Sequence, residues 1–524
     1  MKKFNVTGTC IPEKHYMVDV SDKLNSILKL VDNEEYFIIN RPRQYGKTTT
    51  LYLLTEKLSS MKEYLPIKIS FEGIGDLVFE KEQEFSKAFL QILADYFLIN
   101  DEKISEYLEE QKDHVENFID LSRVITKFIM KIKRKIVLMI DEVDKSSNNQ
   151  LFLSFLGMLR NKYLLRNEGR DYTFYSVILA GVHDVKTLKL KIRDNEEHKY
   201  NSPWNIASDF DVDMSFSIDE IKTMLNDYTE NKKVDLDKEY FAEKLYFYTS
   251  GYPFLVSKLC KIIDEKIMPK DNLKWEKAYL EIAVKEILKE SNTNFDSLIG
   301  NIENNKELQE LVRKIVLDGY EITYNQDNPL ITMGIIYGIF KNSNDKVKIN
   351  NRLYEQRIYN YMTSLIETNL KLEFHNKKEM YLNLDGSLNI KKILIKFQEF
   401  MKHEYSRRRD PFLEEDGRLV FLAFLAPIIN GTGFAFKEVK GGEEKRFDIV
   451  ITYNKKMYIL ELKIWRGQEY HKKGLIQLGK YLDQYGLKEG YLLIFDLRKS
   501  KNFTENKEEN SIDLADKKIV EVYC

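Results

Sequence analysis

The chain reads as a multidomain α/β protein, and three observations say so. Short β-rich runs alternate with helical stretches from Tyr36 to about Asp213. A strand, a loop ending in Gly-Lys-Thr and a helix follow one another at the start of that region. A second, independent mixture of helix and strand begins near Tyr381. Strands alternating with helices predict a parallel sheet covered on both faces. With 524 residues, and about 150 per domain, three or four domains are expected.

Taken in order, YFIIN (36–40), LPIKISF (65–71), KIVLMID (135–141) and FYSVILAG (174–181) are apolar runs of strand length, predicted to be buried. Glu82–Leu98 and Val115–Lys131 carry apolar residues at helical spacing. From about Ser217 to Ser291 β-rich runs vanish and helical patterns take over. A helix over Glu307–Leu317 is then followed by two β-like runs, GIIYGIF (334–340) and KVKIN (346–350), around the turn KNSND. The helical run RLYEQRIYNYMTSLI comes next. Helix, hairpin and helix predict a small winged-helix module. In the last region EEDGRLVFLAFLAPII reads as a helix leading into strands at FAFKEV, RFDIVITY and KMYILELKIW. A helix around Lys473–Gln484 and a strand at YLLIFDL complete it. The expected domains are 1–216, a P-loop core; 217–300, helical; 301–366, winged-helix-like; and 376–524, a separate α/β unit.

Composition narrows the classes. Hydrophobic residues at 43% and aromatics at 12% exclude wholesale disorder. Lys and Arg total 81 against 83 Asp and Glu, so any nucleic-acid binding must come from local patches. Cys10, Cys260 and Cys524 are too few and scattered for a disulfide framework or a zinc site. MKKFNVTGTC lacks the apolar core of a secretory signal. The longest apolar run, Leu419 to Ile429, falls short of the roughly 18 residues that span a bilayer. A soluble, cytoplasmic protein is expected.

YFIINRPRQYGKTTTLYLL supplies the context a phosphate-binding loop needs. Backbone N–H groups at a helix N-terminus cradle phosphates, a lysine reaches the β- and γ-phosphates, and a hydroxyl holds Mg²⁺. Lys47 and Thr48 fit the last two roles, Gly46 permits close backbone approach, and Arg43, Gln44, Tyr45 and Thr49 complete the candidate contacts. The full pattern wants glycine where this chain has Arg41. A capped helix after a turn, with Lys47 solvated, is the plain alternative. KIVLMIDEVD then delivers Asp141 at a strand end, where it can hold Mg²⁺, beside Glu142, which can activate water. The two motifs are expected on adjacent strand ends and together predict ATP binding.

The run YMVDVSDKLNSILKLVDNEEYFIINRPRQYGKTTTLYLL resembles the N-terminal part of bacterial AAA-like ATPases, over about residues 10–265. That family reads Arg-x-Arg-Gln-x-Gly-Lys-Thr and also lacks the first glycine. SGYPFLVSKLC (250–260) resembles the Gly-x-Pro helix start of STAND-type signalling ATPases, which implies that Pro253 opens a nucleotide-sensing lid helix. Where those proteins carry Gly-x-Arg after a strand, VILAGVHDV has His183. The hairpin with RLYEQRI resembles their winged helix. The resemblance also places aromatics such as those of His15-Tyr16 near the nucleotide base.

In RFDIVITYNKKMYILELKIW, Glu461 and Lys463 are two apart in a strand and share a face, while Leu460 and Leu462 face the other way. Asp448 precedes them by one hairpin. Two carboxylates and a lysine suit metal-assisted phosphodiester hydrolysis with Mg²⁺ or Mn²⁺; an incidental ion pair on a solvated face is the alternative. Charges inside the apolar run MYILELKIW are costly without a partner or a task. Gln477 and Tyr481 share a helix face. Residues Glu414 to Arg498 thus resemble the PD-(D/E)xK nuclease superfamily with a Gln-x-x-x-Tyr motif. The resemblance implies that Asp448 and Glu461 are metal ligands, Lys463 the catalytic lysine and Glu438 an additional acid. It makes Glu415, or equally Glu414, the outer acid, with Gln477 and Tyr481 supporting Lys463 and the phosphate backbone. The first motif is Phe-Asp rather than Pro-Asp.

The basic run HEYSRRRDP (403–411) could contact phosphates or be a solvated loop. The combined expectation is an ATP-binding and ATP-hydrolysing protein that regulates a DNA-cleaving domain, with a homo-oligomer possible. The rival is a STAND-like nucleotide switch or scaffold whose C-terminal domain binds nucleic acid without cutting.

Overall fold

Four buried runs build the first sheet. Tyr36 to Ile39 and Ile136 to Ile140 are apolar without alternation, and all nine are buried, as strands covered on both faces require. The computed structural model describes residues 2–143, 150–182, 204, 206–269, 271, 273–318, 320–369, 378–404, 420–422, 424–425, 428–429, 433–436, 449–454, 456–465, 467–496, 509–514 and 517–524. It divides into two units, Met1–Asn304 with Tyr324–Tyr354, and Asn305–Thr323 with Glu355–Cys524. Among the described residues no helix is long and apolar enough to cross a membrane.

The elements run α1 (Ser21–Asp32), β1 (Tyr36–Asn40), α2 (Lys47–Ser59), β2 (Tyr64–Ser70), α3 (Glu82–Leu98), α4 (Glu102–Lys112), α5 (Phe118–Lys131), β3 (Lys135–Asp141), α6 (Gln150–Asn167) and β4 (Ser176–Gly181). The helices α7 (Ile218–Lys232), α8 (Lys238–Thr249), α9 (Pro253–Ile262), α10 (Lys277–Lys289) and α11 (Thr293–Glu303) follow. Next are α12 (Lys306–Arg313), β5 (Ile322–Thr323), α13 (Pro329–Ile336), β6 (Phe340–Ser343), β7 (Lys346–Ile349) and α14 (Arg352–Asn369). The remainder comprises α15 (Ile390–Glu404), β8 (Gly433–Phe436), β9 (Ile449–Tyr453), β10 (Lys456–Ile464), α16 (Gln468–Tyr485), β11 (Glu489–Phe495), β12 (Glu509–Leu514) and β13 (Lys517–Tyr523).

In the first unit the sheet is parallel, in the order β1-β4-β3-β2. Crossovers from β1 to β2, β2 to β3 and β3 to β4 bring the ends of β1, β4 and β3 to one edge, where loops build sites. β4 lies between β1 and β3, so the two motif strands are not neighbours as the sequence had suggested. The order of strands in a crossover sheet is not set by their order in the chain.

The helical region begins with a capping box: Ser217 Oγ accepts from Glu220 N, and the Glu220 carboxylate accepts from Ser217 N at 2.7 Å. Pro253 occupies the first turn of α9, just after Gly251 at φ +73°. The Gly251 carbonyl accepts from Phe216 N at 2.8 Å, and an added Cβ would overlap the Phe216 carbonyl. Gly251→Ala combines left-handed strain with backbone overlap. It is expected to lower stability by at least about 2 kcal/mol, read from the chemical unfolding midpoint.

The run GIIYGIF is not a strand throughout, because its first three residues end α13. Asn328 Oδ1 accepts from Leu330 N and Ile331 N, and Pro329 sits in the first turn. Those start signals outrank the β-like composition of PLITMGII. Gly338, at φ +71°, turns the chain into β6, which pairs antiparallel with β7.

In the second unit the sheet is mixed, in the order β12-β13-β11-β10-β9-β8. β10, β11 and β13 run parallel, while β8–β9, β9–β10 and β12–β13 pair antiparallel. Leu460, Leu462, Leu493 and Phe495 pack with α15 and with residues around Phe421 on one face. Ile459, Leu492, Ile494 and Ile519 pack with Leu475, Leu478, Tyr481 and Leu482 of α16 on the other. Period-two alternation thus sorts β10 between two cores.

Candidate functional site

The loop between β1 and α2 wraps around Lys47. Gly46, at φ +84°, caps α2 in the left-handed conformation that glycine adopts without strain. Lys47 is buried, and its ammonium donates to the carbonyls of Arg41 at 2.8 Å and Pro42 at 2.9 Å. The loop therefore presents its backbone around a fixed cation rather than leaving Lys47 solvated.

Arg41, where the pattern wants glycine, is a clamp. Its guanidinium donates to the carbonyls of Asn40, Phe210 and Val212 and lies 5.1 Å from the Phe210 ring centroid. It ties the start of the loop to the segment that precedes α7.

Asp141 ends β3 almost wholly buried, with Oδ1 accepting from Glu142 N at 3.0 Å. Glu142 has φ +55°, a sparsely populated conformation for a residue with a side chain. Lys68 of β2 was not singled out in the sequence. Its ammonium lies 3.5 Å from the Thr48 carbonyl, and burial lowers its pKa while Asp141 opposes that shift. The signal that could have found it is a lysine inside the apolar run LPIKISF.

The remaining loop residues serve different ends. Thr49 Oγ1 accepts from Cys10 N at 3.0 Å, fastening the amino-terminal segment to α2. Gln44 Nε2 donates to Thr293 Oγ1, away from the start of α2. Tyr45 packs edge-on against Tyr252, ring centroids 4.6 Å apart. Tyr252 OH donates to the Arg43 carbonyl at 2.6 Å, and Tyr354 OH donates to Asn294 Oδ1 at 2.9 Å, with the Tyr252 and Tyr354 rings 5.5 Å apart. Arg43, Val182, Tyr252, Asn294, Asn301 and Tyr354 line a cavity of about 300 Å³. Tyr16 is buried against Phe4 and Tyr228 with its hydroxyl on Asn231, and His15 Nδ1 accepts from Ile11 N. Both side chains make local contacts within the first unit. His183 lies outside the described residues.

These residues fit a magnesium nucleotide. The backbone N–H groups that open α2, the Lys47 ammonium, the Thr48 hydroxyl and the Asp141 carboxylate are the donor types that phosphates and Mg²⁺ take.

In the second unit Glu461 is fully buried and Lys463 Nζ stands 2.9 Å from Glu461 Oε1. Both project toward α16: a Cβ on Gly474 would lie 3.7 Å from the Lys463 stem. On the same helix Gln477 Nε2 donates to Tyr481 OH at 2.8 Å, and Tyr481 is buried. The structure thus brings Glu461 and Lys463 together under the helix that carries Gln477 and Tyr481. Asp448, Glu414, Glu415 and Glu438 lie outside the described residues, as does most of the basic run 403–411. The last described pair of the hairpin joins Ile449 to Leu460, the residues next to Asp448 and Glu461 in sequence. Among the described residues no cluster of three or more His, Cys, Asp or Glu is placed to hold a metal.

A family model described as an AAA-like domain matches residues 24–360. Similar solved structures include the Walker-type ATPase PABY2304 of Pyrococcus abyssi, at 11% identity and TM-score 0.46, covering 68% of this chain and 99% of that one. The Aeropyrum pernix ORC2 protein, in ADPNP–ADP complexes, is 11% identical with TM-score 0.39, covering 70% and 98%. The Thermotoga maritima RuvB Holliday junction branch migration motor is 11% identical with TM-score 0.34, covering 64% and 94%. No curated protein matches.

Proposed function

This chain belongs to the AAA-like domain family, whose model spans residues 24–360, and from that premise we propose an ATP-binding, ATP-hydrolysing protein that regulates a metal-dependent, DNA-cleaving carboxyl-terminal domain. The observation that carries the nucleotide half is Lys47, buried in a loop that bends around it at the start of α2. Lys47 and the N–H groups of α2 bind the phosphates, and Thr48 and Asp141 would hold Mg²⁺. Glu142 accepts the proton of the attacking water. Mg²⁺ held there would supply positive charge that neutralises the phosphates. With His183 where related ATPases carry arginine, a neighbouring copy would supply the γ-phosphate arginine.

The nuclease half is supported by Glu461 and Lys463, a charged pair within an apolar strand and beneath the Gln477–Tyr481 helix. Glu461, Asp448, Glu438 and Glu415 would hold Mg²⁺ or Mn²⁺, and Lys463 would pair with the scissile phosphate. The winged-helix-like module is supported by the order α13, β6, β7, α14. Cleavage of linear, circular and single-stranded DNA, with Mg²⁺ or Mn²⁺ and with or without ATP, tests the proposal. No cleavage under any of these conditions would overturn the nuclease half.

The contacts joining the P-loop to Tyr252, Asn294 and Tyr354 favour a second reading, a nucleotide switch, in which tightly held, unhydrolysed nucleotide would be found. Under either reading, Tyr252→Phe should retain ATP affinity and lose about 1 kcal/mol of stability. It should also weaken the effect of ATP on the carboxyl-terminal domain. An unchanged ATP effect would remove the Tyr252 hydroxyl from the coupling.

A further inference from the structure

A second polar pair sits on the same face of the second-unit sheet as Glu461 and Lys463. The register pairs Glu461 with Leu492 and Leu492 with Glu521, so the two glutamates lie in one row, two strands apart. Side chains paired across a sheet share a face, and two strand spacings put their α-carbons roughly 10 Å apart. Glu521 is buried at 1% exposure, and His471 Nε2 of α16 lies 2.6 Å from its carboxylate. The His471 ring keeps 16% of its surface and packs 5.5 Å from Trp465.

This pair is costly where it stands. Its neighbours on that face are Leu492, Ile494 and Ile519, with the Tyr523 hydroxyl as a further hydrogen-bond partner of Glu521. Burial holds the Glu521 carboxyl above its usual range, with His471 acting in the opposite direction. Buried ionisable pairs add little stability over apolar residues of the same size, so pinning α16 to β13 does not account for these residue types. Because Nε2 faces Glu521, Nδ1 is the nitrogen directed away from it. His471 is one turn before Gly474, which faces the Lys463 stem.

We propose that His471, oriented by Glu521, contacts a DNA phosphate flanking the one cut at Glu461 and Lys463. The proposal rests on the nuclease reading. The roughly 10 Å between the α-carbons of the two glutamates separates Glu521 from a cation at Glu461, whose oxygen ligands would stand about 2.1 Å away. His471 is therefore a substrate contact and Glu521 its positioning residue, and their loss should appear in KM and not in kcat.

The test is steady-state cleavage of linear duplex DNA by the full chain with Mn²⁺. His471→Gln should raise KM about 10-fold or more with kcat nearly unchanged, and His471→Lys should restore part of the affinity. Glu521→Gln, which keeps a hydrogen bond to the ring, should raise KM less. It also replaces His471→Gln as the readout if that variant misfolds. Unchanged KM in a folded His471→Gln or Glu521→Gln, or a fall in kcat alone, overturns the proposal. If the wild-type chain does not cleave, the nuclease reading fails and takes this one with it. If the wild type cleaves, Glu461→Ala does not and the His471 variants keep their KM, only this proposal falls.

Discussion

Lys47→Ala is expected to abolish Mg·ATP binding, with affinity falling by at least about 100-fold. The ammonium is the group the P-loop encloses, and charge-assisted hydrogen bonds to phosphate are roughly twice as strong as neutral ones. The substitution also removes the donor to the Arg41 and Pro42 carbonyls, so the loop loses its shape along with its charge. Glu142→Gln separates binding from chemistry. It keeps size and polarity but not the base, so ATP affinity should survive while hydrolysis falls about 10²–10⁴-fold. Calorimetric titration with Mg·ATP, on variants with unchanged thermal midpoints, reads both. Unaltered affinity in Lys47→Ala would end the P-loop assignment.

The first-unit fold was legible where the signal was local. Each of the four apolar runs between Tyr36 and Gly181 became a strand, and the Gly-Lys-Thr loop lies between β1 and α2 as its context demanded. What was hidden depends on contacts distant in sequence. Nothing in the residues around Arg41 says that its guanidinium reaches the carbonyls of Phe210 and Val212. Nothing near β1 says that β4 would lie between it and β3. The start of α13 was legible and was missed, because Asn328-Pro329 marks a helix start that the apolar composition behind it obscured. Charges in apolar strands proved the most transferable signal. Glu461 and Lys463 were found by it, while Lys68 and Glu521 carry the same mark and were passed over.

Glu461→Ala should remove divalent-ion binding and DNA cleavage together, whereas Lys463→Ala should remove cleavage and leave Mn²⁺ affinity nearly intact. The difference follows from chemistry: a carboxylate supplies oxygen to a hard cation, and an ammonium cannot. Each substitution also breaks a buried contact. Glu461→Ala leaves the Lys463 ammonium without the carboxylate 2.9 Å away, and breaking a buried pair can cost about 3–5 kcal/mol. Glu461→Gln is therefore the necessary companion, since it keeps the volume and a hydrogen-bonding oxygen while losing the charge. Mn²⁺ affinity by calorimetry is read first, cleavage second, and Mg·ATP affinity third. The third should not move, because the P-loop and the Glu461 strand belong to units with separate cores. In a metal-bound structure Asp448 and Glu461 must share one cation at about 2.1 Å if it is Mg²⁺. A folded Glu461→Gln protein that binds Mn²⁺ and cuts DNA like the wild type would leave the pair as a structural ion pair in an otherwise apolar strand.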